Sequence, residues 1–195
     1  MILVIDNTKN LEQAKMTPNI INVLKKTSTK FSIISKKTEL IDIIEKNIEV
    51  YGIILSGGPL CLTEGCNYND ISKNILALNF YKDIPILGIC FGFQIMCDIY
   101  GCNMLRLKEE HKCVKTIDIS NCNLKLMKNL DKTMKIFFCH NDYLRYAPKD
   151  FNSFSYYGMV LGIENDKIKR YGFQFHPEGT TDGMKIIDNF IKLCT

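Results

Sequence analysis

Four short runs of apolar residues, each followed by a segment with helical spacing, constrain this chain more than any other feature. The runs are Ile2–Ile5, Phe31–Ser35, Ile53–Leu55 and Ile84–Ile89. None alternates apolar with polar residues, so each reads as a strand buried on both faces. Between them, apolar residues recur at helical intervals. Leu40, Ile41 and Ile44 do so in Thr38–Glu45, and Asp70–Phe80 and Phe91–Tyr100 follow the same rule. Thr17-Pro18 reads as an N-cap followed by proline at the first helical position, opening a helix through Val23 and Leu24. Buried strands alternating with helices imply an α/β fold, with a mostly parallel sheet flanked by helices.

The second half changes character. Val114–Ile119 alternates apolar and polar side chains, and Met134–Cys139, Tyr157–Ile163 and Arg170–Phe175 also read as strands. Asn165-Asp166 supplies turn residues between the last two. These runs are expected to extend the sheet in antiparallel fashion. Met184, Ile187, Phe190 and Ile191 mark the apolar stripe of a closing helix. No repeat, low-complexity linker or domain boundary interrupts residues 1–195, so one domain is expected.

Composition excludes several classes. A net charge of +4 is spread along the chain, with no block that reads as a nucleic-acid arm. No apolar run reaches the length of a membrane span. The nine cysteines are odd in number, lack paired zinc spacing and follow no secretory signal, so free thiols in a reducing, cytoplasmic setting are expected. No metal site is expected.

One cysteine stands apart. Cys90 lies between a strand and a helix, in Gly88-Ile89-Cys90-Phe91-Gly92-Phe93-Gln94. A cysteine taken at random is far more often a small buried hydrophobe, as Cys97, Cys139 and Cys194 read here. At a strand-to-helix elbow, glycines on either side let neighbouring backbone approach closely. The helix start offers unpaired N–H groups and a positive dipole end, which favour a charged nucleophile. The Phe91 N–H then points where an oxyanion would form.

Such a nucleophile needs a base and a group to orient it. Of the three histidines, His176 ends an apolar run in Phe173-Gln174-Phe175-His176-Pro177-Glu178. Pro177 stops the strand, and Glu178 is close enough to accept a hydrogen bond from the imidazole. Ser56-Gly57-Gly58-Pro59 follows another buried strand, which makes Gly58 a candidate second oxyanion donor. His111 reads as a surface residue.

These pieces, in this order, resemble the class I glutamine amidotransferases, across the whole chain. Gly88-x-Cys90-x-Gly92-x-Gln94 is similar to the family's nucleophile motif, and Phe175-His176-Pro177-Glu178 to its His-Pro-Glu motif. The resemblance implies a flavodoxin-like sheet with an antiparallel ribbon. It implies Cys90 as nucleophile, His176 as base, Glu178 as its orienter, and an oxyanion hole from Gly58 and Phe91. It implies substrate contacts from Gln94 and from the Asn141 and Asp142 segment. Neither metal nor cofactor is implied for glutamine hydrolysis; ATP and Mg would belong to a partner synthase.

Within the family, Ser-Gly-Gly-Pro, His140-Asn141-Asp142 and Tyr171-Gly172-Phe173-Gln174 are similar to the glutaminase part of GMP synthetases. That implies a role in GMP and purine biosynthesis beside a separate ATP-pyrophosphatase subunit. Alternatives are a subunit of anthranilate or aminodeoxychorismate synthase, and a standalone γ-glutamyl hydrolase or peptidase. Asn7-Thr8-Lys9 departs from the Gly-Ser-Gln usual there, Leu60-Cys61-Leu62 from small polar residues, and Gly179-Thr180-Thr181-Asp182 from Val-x-His-Thr.

Overall fold

The computed structural model describes residues 1–8 and 16–194; Lys9 of the departing Asn7-Thr8-Lys9 element lies outside them. Strands β1 (Ile2–Ile5), β2 (Phe31–Ile34), β3 (Gly52–Leu55) and β4 (Ile86–Ile89) alternate with helices α1 (Thr17–Lys26), α2 (Lys37–Glu45) and α3 (Tyr68–Phe80). Helix α4 (Phe91–Ile99) follows β4. Then come β5 (Leu105–Asp118), β6 (Thr133–Tyr143), β7 (Asn152–Tyr156), β8 (Met159–Asn165), β9 (Arg170–Phe173) and α5 (Thr181–Cys194).

The main sheet has the order β2-β1-β3-β4-β9-β8-β7. Its first five strands are parallel, and β8 and β7 continue it antiparallel. The apolar runs are buried on both faces because helices cover both. Ile2, Val4, Ile54, Leu87 and Ile89 face α1 and α5, whereas Leu3, Ile5, Ile53, Leu55 and Ile86 face α2, α3 and α4. Each such side chain contributes about 1.5–3 kcal/mol of burial free energy.

The two alternating runs of the second half pair with each other rather than with the main sheet. β5 and β6 form a separate antiparallel ribbon, bulged between Arg106 and His111. Its apolar face, with Ile117, Met134, Ile136 and Phe138, joins the core on the α1 and α5 side. Of the other two expected runs, Tyr157–Ile163 supplies the antiparallel extension as β8, joined by β7, a strand the sequence pattern does not reveal. Arg170–Phe175 instead forms β9 and runs parallel to β4, whose edge it continues.

The ribbon is fastened beside the end of β9. The His176 N–H donates to the Phe137 carbonyl at 2.8 Å. The Thr180 hydroxyl donates to the Lys135 carbonyl at 2.7 Å, and the Lys135 N–H donates to Asp182 Oδ2 at 2.9 Å. These bonds carry the end of β6 over the carboxyl edge of the parallel strands, where functional groups collect in open α/β sheets. One helix start differs from expectation. Met16, not Thr17, is the N-cap of α1. Thr17 is the first helical residue, and its hydroxyl donates to Asp6 Oδ1 at 2.8 Å.

Candidate active site

Cys90 occupies the elbow between β4 and α4 with φ +48° and ψ −105°. A non-glycine residue there carries strain of about 1–3 kcal/mol, so surrounding contacts must impose it. They do. The Cys90 N–H donates to the Phe173 carbonyl at 2.8 Å, and the Gly92 N–H donates to the Ser56 carbonyl at 3.1 Å. The flanking glycines are steric requirements. A Cβ on Gly88 would lie 2.8 Å from the Phe93 backbone, and one on Gly92 would strike the Leu55 carbonyl. As the first residue of α4, Phe91 has an N–H with no acceptor inside the helix.

His176 follows the end of β9, and Pro177–Gly179 forms a single 3-10 turn. That turn brings Glu178 Oε1 within 2.8 Å of His176 Nδ1, with both side chains buried. The His176 ring lies against the oxyanion-loop candidate. A Cβ on Gly57 would meet His176 Cε1 at 2.6 Å and Cys90 Cβ at 3.6 Å. Burial alone would lower the imidazole pKa. The adjacent Cys90 sulfur and Glu178 carboxylate outweigh it and raise His176 well above the ordinary histidine value. Cys97 shows the contrast: burial holds its thiol well above the ordinary range, which keeps it inert.

A cleft of about 100 Å³ opens beside Cys90, lined by Gly58, Pro59, Leu60 and Cys61 on one side. Gln94, Glu110, Cys139, His140, Asn141 and Asp142 line the other. Of the sequence-selected site residues, Phe91, His176 and Glu178 lie outside this lining, and Gly58, Cys90, Gln94, Asn141 and Asp142 form part of it. Two of them have side chains already engaged. Gln94 Nε2 donates to the Asp142 carbonyl at 2.9 Å. The Asp142 carboxylate accepts from the Thr63 N–H at 3.0 Å, the Thr63 hydroxyl at 2.6 Å and Arg106 Nη1 at 3.4 Å. His140 Nδ1 lies 3.0 Å from the Asp142 carbonyl, which only accepts, so Nδ1 carries the proton. Burial pushes the His140 pKa down to about 4.

His111 is not a plain surface residue. It pairs across the ribbon with His140 and stacks on Phe138 at 4.5 Å between ring centroids. Sequence reasoning also passes over Cys139, whose carbonyl lies 3.5 Å from Cys90 Sγ, and Asn7, which binds Ser56. The signal for Asn7 is its place just beyond the end of a buried parallel strand. Among the described residues, no group of three His, Cys, Asp or Glu side chains could hold a metal ion. All nine cysteines are free thiols.

The fold, the strained cysteine and the His-Pro-Glu turn define a class, and comparison with known proteins agrees. The chain belongs to the class-I glutamine amidotransferase family, whose model matches residues 3–193. It is 37% identical over 169 residues to one subunit of the glutamine-hydrolyzing GMP synthase of Methanococcus aeolicus, covering 83% of both chains. It is 36% identical to GMP synthase (glutamine-hydrolyzing) of Dictyostelium discoideum, where 80% of this chain spans only 23% of that longer protein. The crystal structure of a candidate GMP synthase subunit from Thermoplasma acidophilum has the same fold. It superposes with a TM-score of 0.74 over 99% of this chain and 92% of that one, at 24% identity.

Proposed function

We propose that this chain hydrolyses glutamine to glutamate and ammonia through a thioester on Cys90, as the ammonia-supplying subunit of a GMP synthetase. The observation that carries the chemistry is the buried line of Glu178, His176 and Cys90, closed by the 2.8 Å bond from His176 Nδ1 to Glu178. The charged imidazole lies beside a nucleophile held in a strained elbow.

The steps follow from that arrangement. The Cys90 sulfur attacks the side-chain amide carbon of glutamine. The N–H groups of Phe91 and Gly58 receive the oxyanion. His176 gives its proton to the departing ammonia, leaving a γ-glutamyl thioester. Water then attacks the thioester while His176 takes its proton, and glutamate leaves with the thiol restored. Glu178 holds the imidazole in orientation and stabilises its charged form. Gln94, Asn141 and Asp142 shape the substrate's subsite. No step calls for a metal or cofactor. ATP and Mg would serve the partner.

The acceptor is inferred from the relatives. The Methanococcus protein is named as one subunit of a GMP synthase and matches this chain over most of both lengths. That favours a partner in the form of a separate ATP-pyrophosphatase subunit, and a cytoplasmic place in purine biosynthesis. No helix among the described residues is long and apolar enough to cross a membrane.

The test is glutamate release by wild type and Cys90→Ala. Each is assayed alone and with the ATP-pyrophosphatase of a GMP synthetase, ATP, Mg and its nucleotide substrate. Release that depends on Cys90 and rises with the partner is expected. Absence of Cys90-dependent release in both settings would overturn the reading.

A further inference from the structure

Gly57 and Gly58 have no side chains, so something else must fix the peptide between them. The Ser56 hydroxyl donates to the Gly57 carbonyl at 2.9 Å. The same hydroxyl oxygen accepts the Asn7 N–H at 2.9 Å. Asn7 Nδ2 donates to the Ser56 carbonyl at 2.8 Å. Asn7 is in turn gripped by Asn74, from the buried face of α3, through two amide bonds. Asn74 Nδ2 donates to Asn7 Oδ1 at 2.8 Å, and Asn7 Nδ2 donates to Asn74 Oδ1 at 3.2 Å. Both side chains are buried, Asn74 completely.

A trans peptide is planar, with its C=O and N–H pointing opposite ways. Among the described residues, no peptide bond is cis. Holding the Gly57 carbonyl therefore also sets the direction of the Gly58 N–H. Gly58 itself is packed tightly. A Cβ there would lie 2.6 Å from the Asn7 carbonyl oxygen and 3.1 Å from the Phe91 ring.

We propose that Asn7, Asn74 and Ser56 form a clasp that holds the Gly57–Gly58 peptide in its oxyanion-receiving orientation. They are positioning residues, acting through Gly58 and touching no reacting atom. The proposal rests on the glutaminase reading. Buried amides bonded to each other in both directions cost little to keep and much to break singly, because each loss orphans a partner. Residues 7, 56 and 74 come from three separate elements, so the clasp also ties the loop to α3. Local bonds alone would leave a Gly-Gly peptide free to rotate.

The experiment compares wild type with Asn7→Ala, Asn74→Ala, the double variant and Ser56→Ala. Two probes of Cys90 are used beside glutaminase kinetics: iodoacetamide, which needs no oxyanion hole, and a glutamine-shaped diazoketone, whose carbonyl does. Each single variant is expected to lose about 10²-fold in kcat, the range for losing one oxyanion donor, with KM changed less than about threefold. Diazoketone labelling slows in parallel, and iodoacetamide labelling keeps its wild-type rate. The double variant falls no further than the worse single, the mark of residues acting as one unit. Ser56→Ala removes only a hydroxyl and carries the test if an amide variant fails to fold. Folded variants with wild-type kcat and diazoketone labelling would overturn the clasp alone. A wild type that reacts with iodoacetamide but not with the diazoketone, both alone and with the ATP-pyrophosphatase and its substrates, would overturn the glutaminase reading, and the clasp with it.

Discussion

The two walls of the cleft are built from different material and handle charge in opposite ways. One wall is the carboxyl edge of the parallel sheet, carrying Cys90, Gly57, Gly58 and the His176–Glu178 turn. The other is the end of β6, from Cys139 to Asp142. Each wall holds a buried histidine, His176 at 6% exposure and His140 at 5%. Burial pushes both toward neutrality. On the sheet wall, Cys90 and Glu178 overcome that push and keep His176 charged. On the ribbon wall, a backbone carbonyl offers less, neighbouring histidines oppose, and His140 stays neutral with a pKa of about 4. Burial alone therefore does not decide a histidine's role. Neighbouring charge does, and under the proposed mechanism proton transfer belongs to one wall and substrate positioning to the other.

The sharpest way to break this division is to disturb the sheet wall without removing a functional group. Gly57→Ala does so, since the new methyl would sit 2.6 Å from His176 Cε1. The ring must turn or shift away from Cys90. A displacement of about 1 Å at reacting groups costs on the order of 10²-fold in rate. Glutaminase kcat is expected to fall by about that factor, with the thermal midpoint nearly unchanged. Wild-type kcat in the folded variant would show that His176 is not held in a working position by this contact.

The sheet wall was also the more legible in sequence, for physical reasons. Ile2–Ile5 and Ile53–Leu55 are apolar because both their faces are covered, and that leaves an unbroken run. Gly88 and Gly92 are required by backbone contacts within the elbow and its adjoining strand, so a local motif records them. The ribbon wall left fainter traces. The first half of β5, with Glu109, Glu110 and Lys112, is largely exposed and bulged, so it shows no period. At the edge of the main sheet, β7 is likewise mostly polar because it is largely exposed. Thr63 and Asp142 are 79 residues apart, and Asn7 and Asn74 are 67 apart. Neither pair has a neighbour in sequence to announce it. Thr17 misled because its hydroxyl serves Asp6 across the chain instead of capping its own helix.

The opposed histidines also give the protein opposed pH dependences. His140 takes up its proton at about pH 4 when folded, against about 6.5 when unfolded. Between those values the unfolded chain binds more protons, so stability falls as pH drops from 6.5 toward 4. The expected loss from His140 between pH 7 and pH 5 is about 2 kcal/mol. His176 acts with the other sign. Its raised folded value contributes stability that is fully present below about 6.5 and is lost as pH climbs toward and through the raised folded value. His140→Asn keeps a nitrogen donor near the Asp142 carbonyl and removes the titration. Its urea unfolding free energy should therefore lose about 2 kcal/mol less than wild type over the same interval. Equal slopes would place the acid sensitivity elsewhere.

The smallest effect is expected at Asp142, and it tests the ribbon wall directly. The carboxylate is buried and accepts three hydrogen bonds, two from Thr63 in the loop that follows the Gly57–Pro59 turn. Its backbone carbonyl receives both Gln94 Nε2 and His140 Nδ1. Asp142 thus joins the two walls. Asp142→Asn keeps the shape but replaces one acceptor oxygen with a donor, facing either the Thr63 N–H or the Thr63 hydroxyl together with Arg106. Charge-assisted bonds of this kind are roughly twice as strong as neutral ones, so the join should loosen without coming apart. A positioning role predicts a KM for glutamine raised about tenfold, a cost of about 1.4 kcal/mol, with kcat within about threefold of wild type. Arg106→Ala should do much less, because its side chain is 38% exposed and its bond to Asp142 is long, at 3.4 Å. If Asp142→Asn instead lowered kcat and left KM alone, the ribbon would be acting in the transition state, and the division between the walls would fail at the residue that connects them.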